Sequence, residues 1–196
     1  MIEQKLKACL ESPFEVYFIN ILSKKFFNSP TLIVAEQLLG KFLLENISGV
    51  TRAYMITEVE AYDGPDDLAS HASKGKTPRT EVMFGDPGIF YVYLVYGMHH
   101  MLNIVTGPAD YPAAVLIRGI VSEEGPEFNG PAKLSKALGI DKKFNKLSAT
   151  KNNNLWFEDR GVTIPKKQIL TSTRIGVDYA KEWKDKPYRF FIAKKQ

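Results

Sequence analysis

The stretch Phe90-Tyr91-Val92-Tyr93-Leu94-Val95-Tyr96-Gly97-Met98-His99-His100 constrains the fold more than any other part of the chain. Its β-branched and aromatic residues suit a pleated strand. Side chains alternate across a strand with period two, so Tyr91, Tyr93 and Val95 are expected on one face and Val92, Leu94 and Tyr96 on the other. Gly97 permits a tight turn, and Met101 to Thr106 is the expected partner strand. A single strand tyrosine is explained by core packing. Three beside a strand end, preceded by the acidic run Glu58 to Asp67 and followed by Asn103 and Arg118, point instead to a site.

A chain of 196 residues, 44% hydrophobic and 12% aromatic, can build one globular domain with a sizeable core and does not suit a disordered protein. The net charge of +4 and pI of about 9.0 favour a polyanionic partner without demanding one. Cys9 is the only cysteine, which excludes an intrachain disulfide or a cysteine-rich zinc site and suits a reducing compartment. The apolar run Val16 to Leu22 is too short to span a bilayer, and Glu3, Glu11 and Glu15 before it do not suit a signal peptide. The expectation is a soluble protein with no membrane partner, of the cytoplasm (the nucleoid of a bacterium) or of the nucleus if the source is eukaryotic. Absence of a strong basic targeting run favours the former.

Residues 1–20 are expected to be an N-terminal extension, with at most a short helix, packed on a body of residues 21–196. Ser29-Pro30 caps and starts a helix whose apolar face is Val34, Leu38 and Leu39 and which Gly40 ends. Lys41 to Ile47 and Ala53 to Tyr62 are predicted strands of a hairpin about Ser48-Gly49. Asp63-Gly64-Pro65-Asp66-Asp67 reads as a turn, and His71 to Arg79 as a basic loop in which Lys74, Lys76 and Arg79 suit phosphate contact. A short helix is expected over Thr80 to Phe84, a strand over Ala113 to Arg118, and a helix from Gly130-Pro131 to Gly139. Strands are then expected over Leu155 to Glu158, Val162 to Ile164, Ile169 to Ile175 and Tyr188 to Ala193. The sum is one α+β domain: a curved antiparallel or mixed sheet with surrounding helices and a protruding β-hairpin.

Glu58 and Glu60, two apart on a strand, face the same side. Glu60 has an apolar flank in Val59 and Ala61; desolvation would make it a better base, provided a cation such as Arg118 keeps it ionised. Metal chemistry is not favoured. His71, His99 and His100 are the only histidines, and adjacent histidines on a strand point to opposite sides. No glycine-rich phosphate loop, G-x-S-x-G or cysteine nucleophile context is present. A basic protein with a tyrosine cluster, one buried base and no cofactor motif suits a hydrolase that turns a nucleotide out of a duplex, though composition and spacing alone do not establish it. Two rivals stand beside that reading. Gly88 to Tyr93 is faintly similar to the aromatic strand of an RNA-recognition motif, but gives no work to Glu60 or Arg118. A carbohydrate hydrolase using Glu58 and Glu60 needs its carboxylates to flank the scissile bond, whereas these share a side.

The blocks Ile56-Thr57-Glu58-Val59-Glu60-Ala61-Tyr62, Ser70-His71, Thr77-Pro78-Arg79, Met83-Phe84, Tyr91 to Met98, Leu102-Asn103-Ile104, Val115-Leu116-Ile117-Arg118 and Gly130-Pro131-Ala132-Lys133-Leu134 resemble, in order and spacing, those of the alkyladenine (3-methyladenine) DNA glycosylases. The resemblance runs from about Leu22 to Ala193 and implies a monofunctional N-glycosyl hydrolase acting on double-stranded DNA. It would excise alkylated or deaminated purines (3-methyladenine, 7-methylguanine, hypoxanthine, ethenoadenine) without metal or organic cofactor, leaving an abasic site, and can act as a monomer. Carried over by motif, Glu60 activates water, Arg118 helps hold it, and the carbonyl of Ile175 is its third contact. Tyr62 and Tyr93 stack on the flipped base, His71 bonds its edge, and Asn103 lines the pocket; placed where the guanine C2 amino group would fall, it would refuse guanine by steric conflict and by setting donors against donors. Tyr96 enters the minor groove as a wedge and Met83 contacts that groove. Glu58 matches a block but receives no chemical role, and residues 1–20 and His99-His100 lie outside the carry-over.

Overall fold

The computed structural model describes residues 20–123 and 125–193. The expected N-terminal extension, apart from Asn20, therefore lies outside the described residues. Ten strands are described: β1 (Asn20–Ile21), β2 (Phe42–Ile47), β3 (Val50–Asp63), β4 (Phe90–Val95), β5 (His99–Val105), β6 (Ala113–Ser122), β7 (Glu127–Asn129), β8 (Leu155–Asp159), β9 (Ile169–Ser172) and β10 (Arg189–Ile192). They form one sheet with the principal order β1-β8-β2-β3-β6-β5-β4, and β7 pairs with β6. β3 is long enough to pair with β2 through its first half and with β10 through its second, and β10 carries β9. Every pairing is antiparallel, so of the two expected sheet types it is the antiparallel one. Among the described residues three α-helices accompany the sheet: α1 (Lys24–Phe27), α2 (Thr31–Leu38) and α3 (Pro131–Ala137).

The β2–β3 hairpin turns on Ser48 and Gly49 as expected, both at positive φ (52° and 86°), as a two-residue turn matching the strand twist requires. Period-two patterning covers the sheet on both sides. Leu43, Tyr54, Ile56, Leu155 and Phe157 join Val34, Ala35 and Leu38 of α2 in the main core. Their neighbours Phe42, Leu44, Ala53, Met55 and Trp156 form a second cluster.

Three expectations about elements need correction. Ser29 makes no side-chain cap for α2, whose cap position is Pro30. Val162 to Ile164 is not a strand; Ile164 is apolar because it is buried in the main core. The run from Ile169 stops being a strand at Ser172, and Thr173 to Ile175 turn away toward the cleft described below.

One irregularity places the site. Pairing between β3 and β6 runs Ile56↔Ile120, then Glu58↔Gly119, then Val59↔Ile117, with a register shift on either side of Glu58. Across it the alternation changes phase: Tyr54 and Ile56 face the main core before it, Val59 and Ala61 after it, and on β6 Ile120 before and Ile117 and Val115 after. A strand without this break would bury Glu58, Glu60 and Tyr62 among aliphatic residues. Gly119 admits the crowding, since a Cβ there would lie 2.8 Å from Thr57 Oγ1 and 3.0 Å from Glu58 Cβ.

Candidate active site

A cleft of about 440 Å³ opens on the sheet face opposite the main core. Its floor is Tyr62 of β3, Leu116 and Arg118 of β6, Met101 and Asn103 of β5, and Tyr91 and Tyr93 of β4; its walls carry His71, Arg79, Ile175 and Tyr179.

Glu60 has no exposed surface and lies behind three residues that line the cleft, Tyr62, Arg118 and Ile175. Its Oε1 accepts the Ile175 N–H at 2.8 Å. Oε2 accepts the Tyr62 hydroxyl at 3.0 Å and an Arg118 N–H at 3.3 Å. Burial raises the pKa of this carboxyl above its ordinary value, while Arg118, the Ile175 amide and Tyr62 pull it back down. The result is a desolvated, oriented carboxylate that is a stronger base than a surface glutamate.

Arg118 stands between two carboxylates, its Nε donating to Glu58 at 3.0 Å. Glu58 in turn accepts from Arg189 at 3.2 Å. Both glutamates bond the same guanidinium, and Glu58 does not line the cleft, so the two do not face a bound substrate as the pair a carbohydrate hydrolase needs. Ile175 meets Glu60 through its amide, a contact the sequence reading did not include.

The aromatic wall is ordered by polar contacts. His71 Nδ1 lies 3.0 Å from the Tyr91 hydroxyl, and the imidazole meets the Tyr93 ring edge-on at 4.7 Å and 75°. Burial, helped by Arg79 and Lys74, pushes the His71 pKa down to about 4, so the ring is neutral at physiological pH. Tyr91 and Tyr93 lie 5.1 Å apart, and the Arg79 guanidinium sits 5.0 Å over Tyr93. Arg79 thus lies in the cleft, where the sequence suggested a loop residue for phosphates. Burial raises the phenol pKa of Tyr62 well above its ordinary value, and one ring face of Tyr62 is covered by Arg174 at 4.9 Å.

Asn103 and Met83 both lie among the residues that line the cleft. Asn103 is buried, and its Nδ2 donates to the carbonyls of Tyr91 (3.0 Å) and Met101 (3.3 Å). Its donors are spent on the backbone and the remaining polar atom, Oδ1, is an acceptor, so it sets no donor against a guanine amino group. Met83 is 2% exposed, packed with Ala72, Val82, Tyr91 and Val105. A side chain so placed packs within the cleft lining, of which it is part.

Tyr96 is 90% exposed at the tip of the β4–β5 hairpin, with Leu94 and Met98 exposed beside it. It lies past the end of β4, at φ 51°, so strand alternation does not govern it. Among the described residues no group of three or more His, Cys, Asp or Glu side chains is placed to hold a metal ion, and no described helix is long and apolar enough to cross a membrane. Sequence reasoning missed Tyr179, whose hydroxyl donates to the Ala69 carbonyl at 3.0 Å, and the buried pair Asp67 and Arg174. No local pattern marks them, since their partners lie about a hundred residues away.

A buried, hydrogen-bonded carboxylate thus lies behind an aromatic cleft, beside a hairpin bearing an exposed tyrosine. The model of the methylpurine-DNA glycosylase (MPG) family matches residues 25–196. Similar relatives carry the provisional name 3-methyladenine DNA glycosylase. One from Clostridium perfringens strain SM101 is 42% identical over 87% of this chain and 95% of its own. One from Myxococcus xanthus is 42% identical over 91% and 93%, and one from Ehrlichia ruminantium 45% over 88% and 89%. The chain belongs to the methylpurine-DNA glycosylase family: it is a DNA glycosylase, a hydrolase of DNA repair.

Proposed function

We propose that the cleft receives an alkylated or deaminated purine turned out of duplex DNA, of the 3-methyladenine, 7-methylguanine, hypoxanthine or ethenoadenine type, and hydrolyses its N-glycosidic bond. Glu60, ionised, takes a proton from a water molecule whose oxygen bonds to the sugar C1′; the C1′–N bond breaks, its electron pair leaves with the base, and an abasic site remains. Arg118 and the carbonyl of Ile175 hold the water, Tyr62 and Tyr93 hold the base faces, neutral His71 bonds the base edge, and Tyr96 fills the gap in the duplex. The reaction needs a carboxylate and water, with no metal or organic cofactor. One observation carries this reading: Glu60 is fully buried, and its carboxylate is held by three donors, Tyr62, Arg118 and Ile175, that all line the cleft.

Single-turnover release of these four bases from oligonucleotide duplexes tests it, in the presence of a strong chelator. Wild-type protein should release at least one of them, Glu60→Gln almost none while still binding the lesion duplex, and Glu58→Gln should lose less. Release by Glu60→Gln at the wild-type rate would remove Glu60 from the role of base.

A further inference from the structure

Asp67 and Arg174 have no exposed side-chain surface. Arg174 Nη1 donates to Asp67 Oδ2 (2.5 Å) and to the Ala61 carbonyl (2.8 Å), and Nη2 to Asp67 Oδ1 (2.8 Å) and the Trp183 carbonyl (3.2 Å). The guanidinium plane lies between the rings of Tyr62 (4.9 Å) and Tyr188 (5.2 Å). Asp67 also accepts the N–H groups of Asp63 (3.1 Å) and Ala69 (3.0 Å).

These contacts meet three parts of the site. The bond to Ala61 and the stack on Tyr62 fix the end of β3 immediately after Glu60. The residue following Arg174 is Ile175, whose amide donates to Glu60. Asp67 closes the turn that leads through Ser70 to His71. Stability alone does not account for such a pair, because well-packed apolar residues in place of a buried ion pair are often as stable or more so. What an apolar pair would lack is direction, and a planar fork bonded at four points supplies it.

We infer that the Asp67–Arg174 pair is a positioning unit that sets Tyr62 and the Ile175 amide against Glu60. It acts through those groups and touches no reacting atom. The inference rests on the base role proposed for Glu60. The charged and titratable groups facing Glu60 are Arg118 from β6, Glu58 and Tyr62 from β3, Tyr93 from β4, and Arg189 from β10 beyond Glu58. Of these only Tyr62 touches Arg174, so the hydrogen bonds to Glu60 from Tyr62 and from the Ile175 amide are what a change at 174 disturbs.

The test compares Arg174→Lys, which keeps the charge but loses the fork and the planar stack, with Arg160→Lys, which loses a fork on Glu158 and Glu123 away from the cleft. Both variants should melt at lower temperature than wild type. Only Arg174→Lys should slow single-turnover base release, on the order of a hundredfold for a displacement near 1 Å, and only it should move the acid limb of the pH–rate profile upward, because Glu60 loses donors that favour its ionised form. A merely structural role would lower the active fraction and leave that limb in place. Normal release by folded Arg174→Lys, or slowed release with an unmoved limb, overturns the inference. Should Arg174→Lys fail to fold, the same two readouts on Asp67→Asn, which keeps the shape and one acceptor, decide. Glu60→Gln is run alongside: if it releases base normally the proposed mechanism fails, and if it is inactive while Arg174→Lys keeps a normal profile, only the positioning role fails.

Discussion

Tyr62 donates its hydroxyl hydrogen to Oε2 of Glu60 at 3.0 Å from two residues further along the same strand. Residues two apart point to the same face, so the phase change at Thr57–Glu58 that brings Glu60 to the cleft brings Tyr62 with it. The proposed base and one proposed wall of the slot are therefore a single hydrogen-bonded unit.

Tyr62→Phe separates the two roles. The ring face is retained, so affinity for a lesion duplex should stay near wild type. Glu60 loses a donor that favours its ionised form, so the acid limb of the single-turnover profile should move to higher pH and the rate below it should fall. Reduced affinity with an unmoved acid limb would mean that the hydroxyl serves the wall and not the base.

The hairpin tip opposes stability to function. Tyr96 and Gly97 both have positive φ (51° and 68°), and the Met98 N–H returns to the Val95 carbonyl at 3.1 Å. Such a turn favours Asn-Gly, and a bulky residue at the first position is strained. Tyr96→Asn should therefore hold or raise the melting temperature while reducing excision of lesions in paired DNA, with a smaller loss when the lesion lies opposite a gap. Equal losses on both substrates would remove the wedge from Tyr96.

Much of this arrangement was legible from the sequence because it is local. The Ser48-Gly49 hairpin, the tyrosine strand and Gly97 announce themselves through alternation and turn residues, and the aromatic and acidic blocks carry the family resemblance. What escaped was long-range or a break in regularity. Counting by twos from Ile56 would put Glu60 in the core, and no residue type reports the phase change; Gly119 only permits the crowding that goes with it. Asp67 reads as one more turn carboxylate until Arg174, 107 positions away, is placed against it.

His71 makes a prediction about pH. Its pKa falls from the ordinary 6.5 to about 4 on folding, so between those values the unfolded chain binds the proton more readily than the folded one. The stability at stake is full above pH 6.5 and is lost as pH falls toward 4. Urea midpoints measured across that range should fall more steeply with acid for wild type than for His71→Gln. Parallel curves would show an imidazole that titrates normally, and with it a ring too solvated for the edge contact proposed.

The last prediction concerns guanine, which differs from hypoxanthine by an amino group at C2. Asn103 has committed both Nδ2 hydrogens to the carbonyls of Tyr91 and Met101; only its bulk and the acceptor Oδ1 remain to meet a bound base. An acceptor would welcome an amino group, so any exclusion of guanine by this residue must be a matter of volume. Two substitutions separate the possibilities. Asn103→Ser removes volume and should admit guanine, raising its release from mismatched duplexes while release of hypoxanthine changes little. Asn103→Leu keeps the volume but orphans two backbone carbonyls, at roughly 1–3 kcal/mol each if they find no other donor, so it should melt earlier yet still refuse guanine. If leucine admits guanine as readily as serine does, it is the amide's grip on β4 and β5, and not the space it fills, that keeps guanine out.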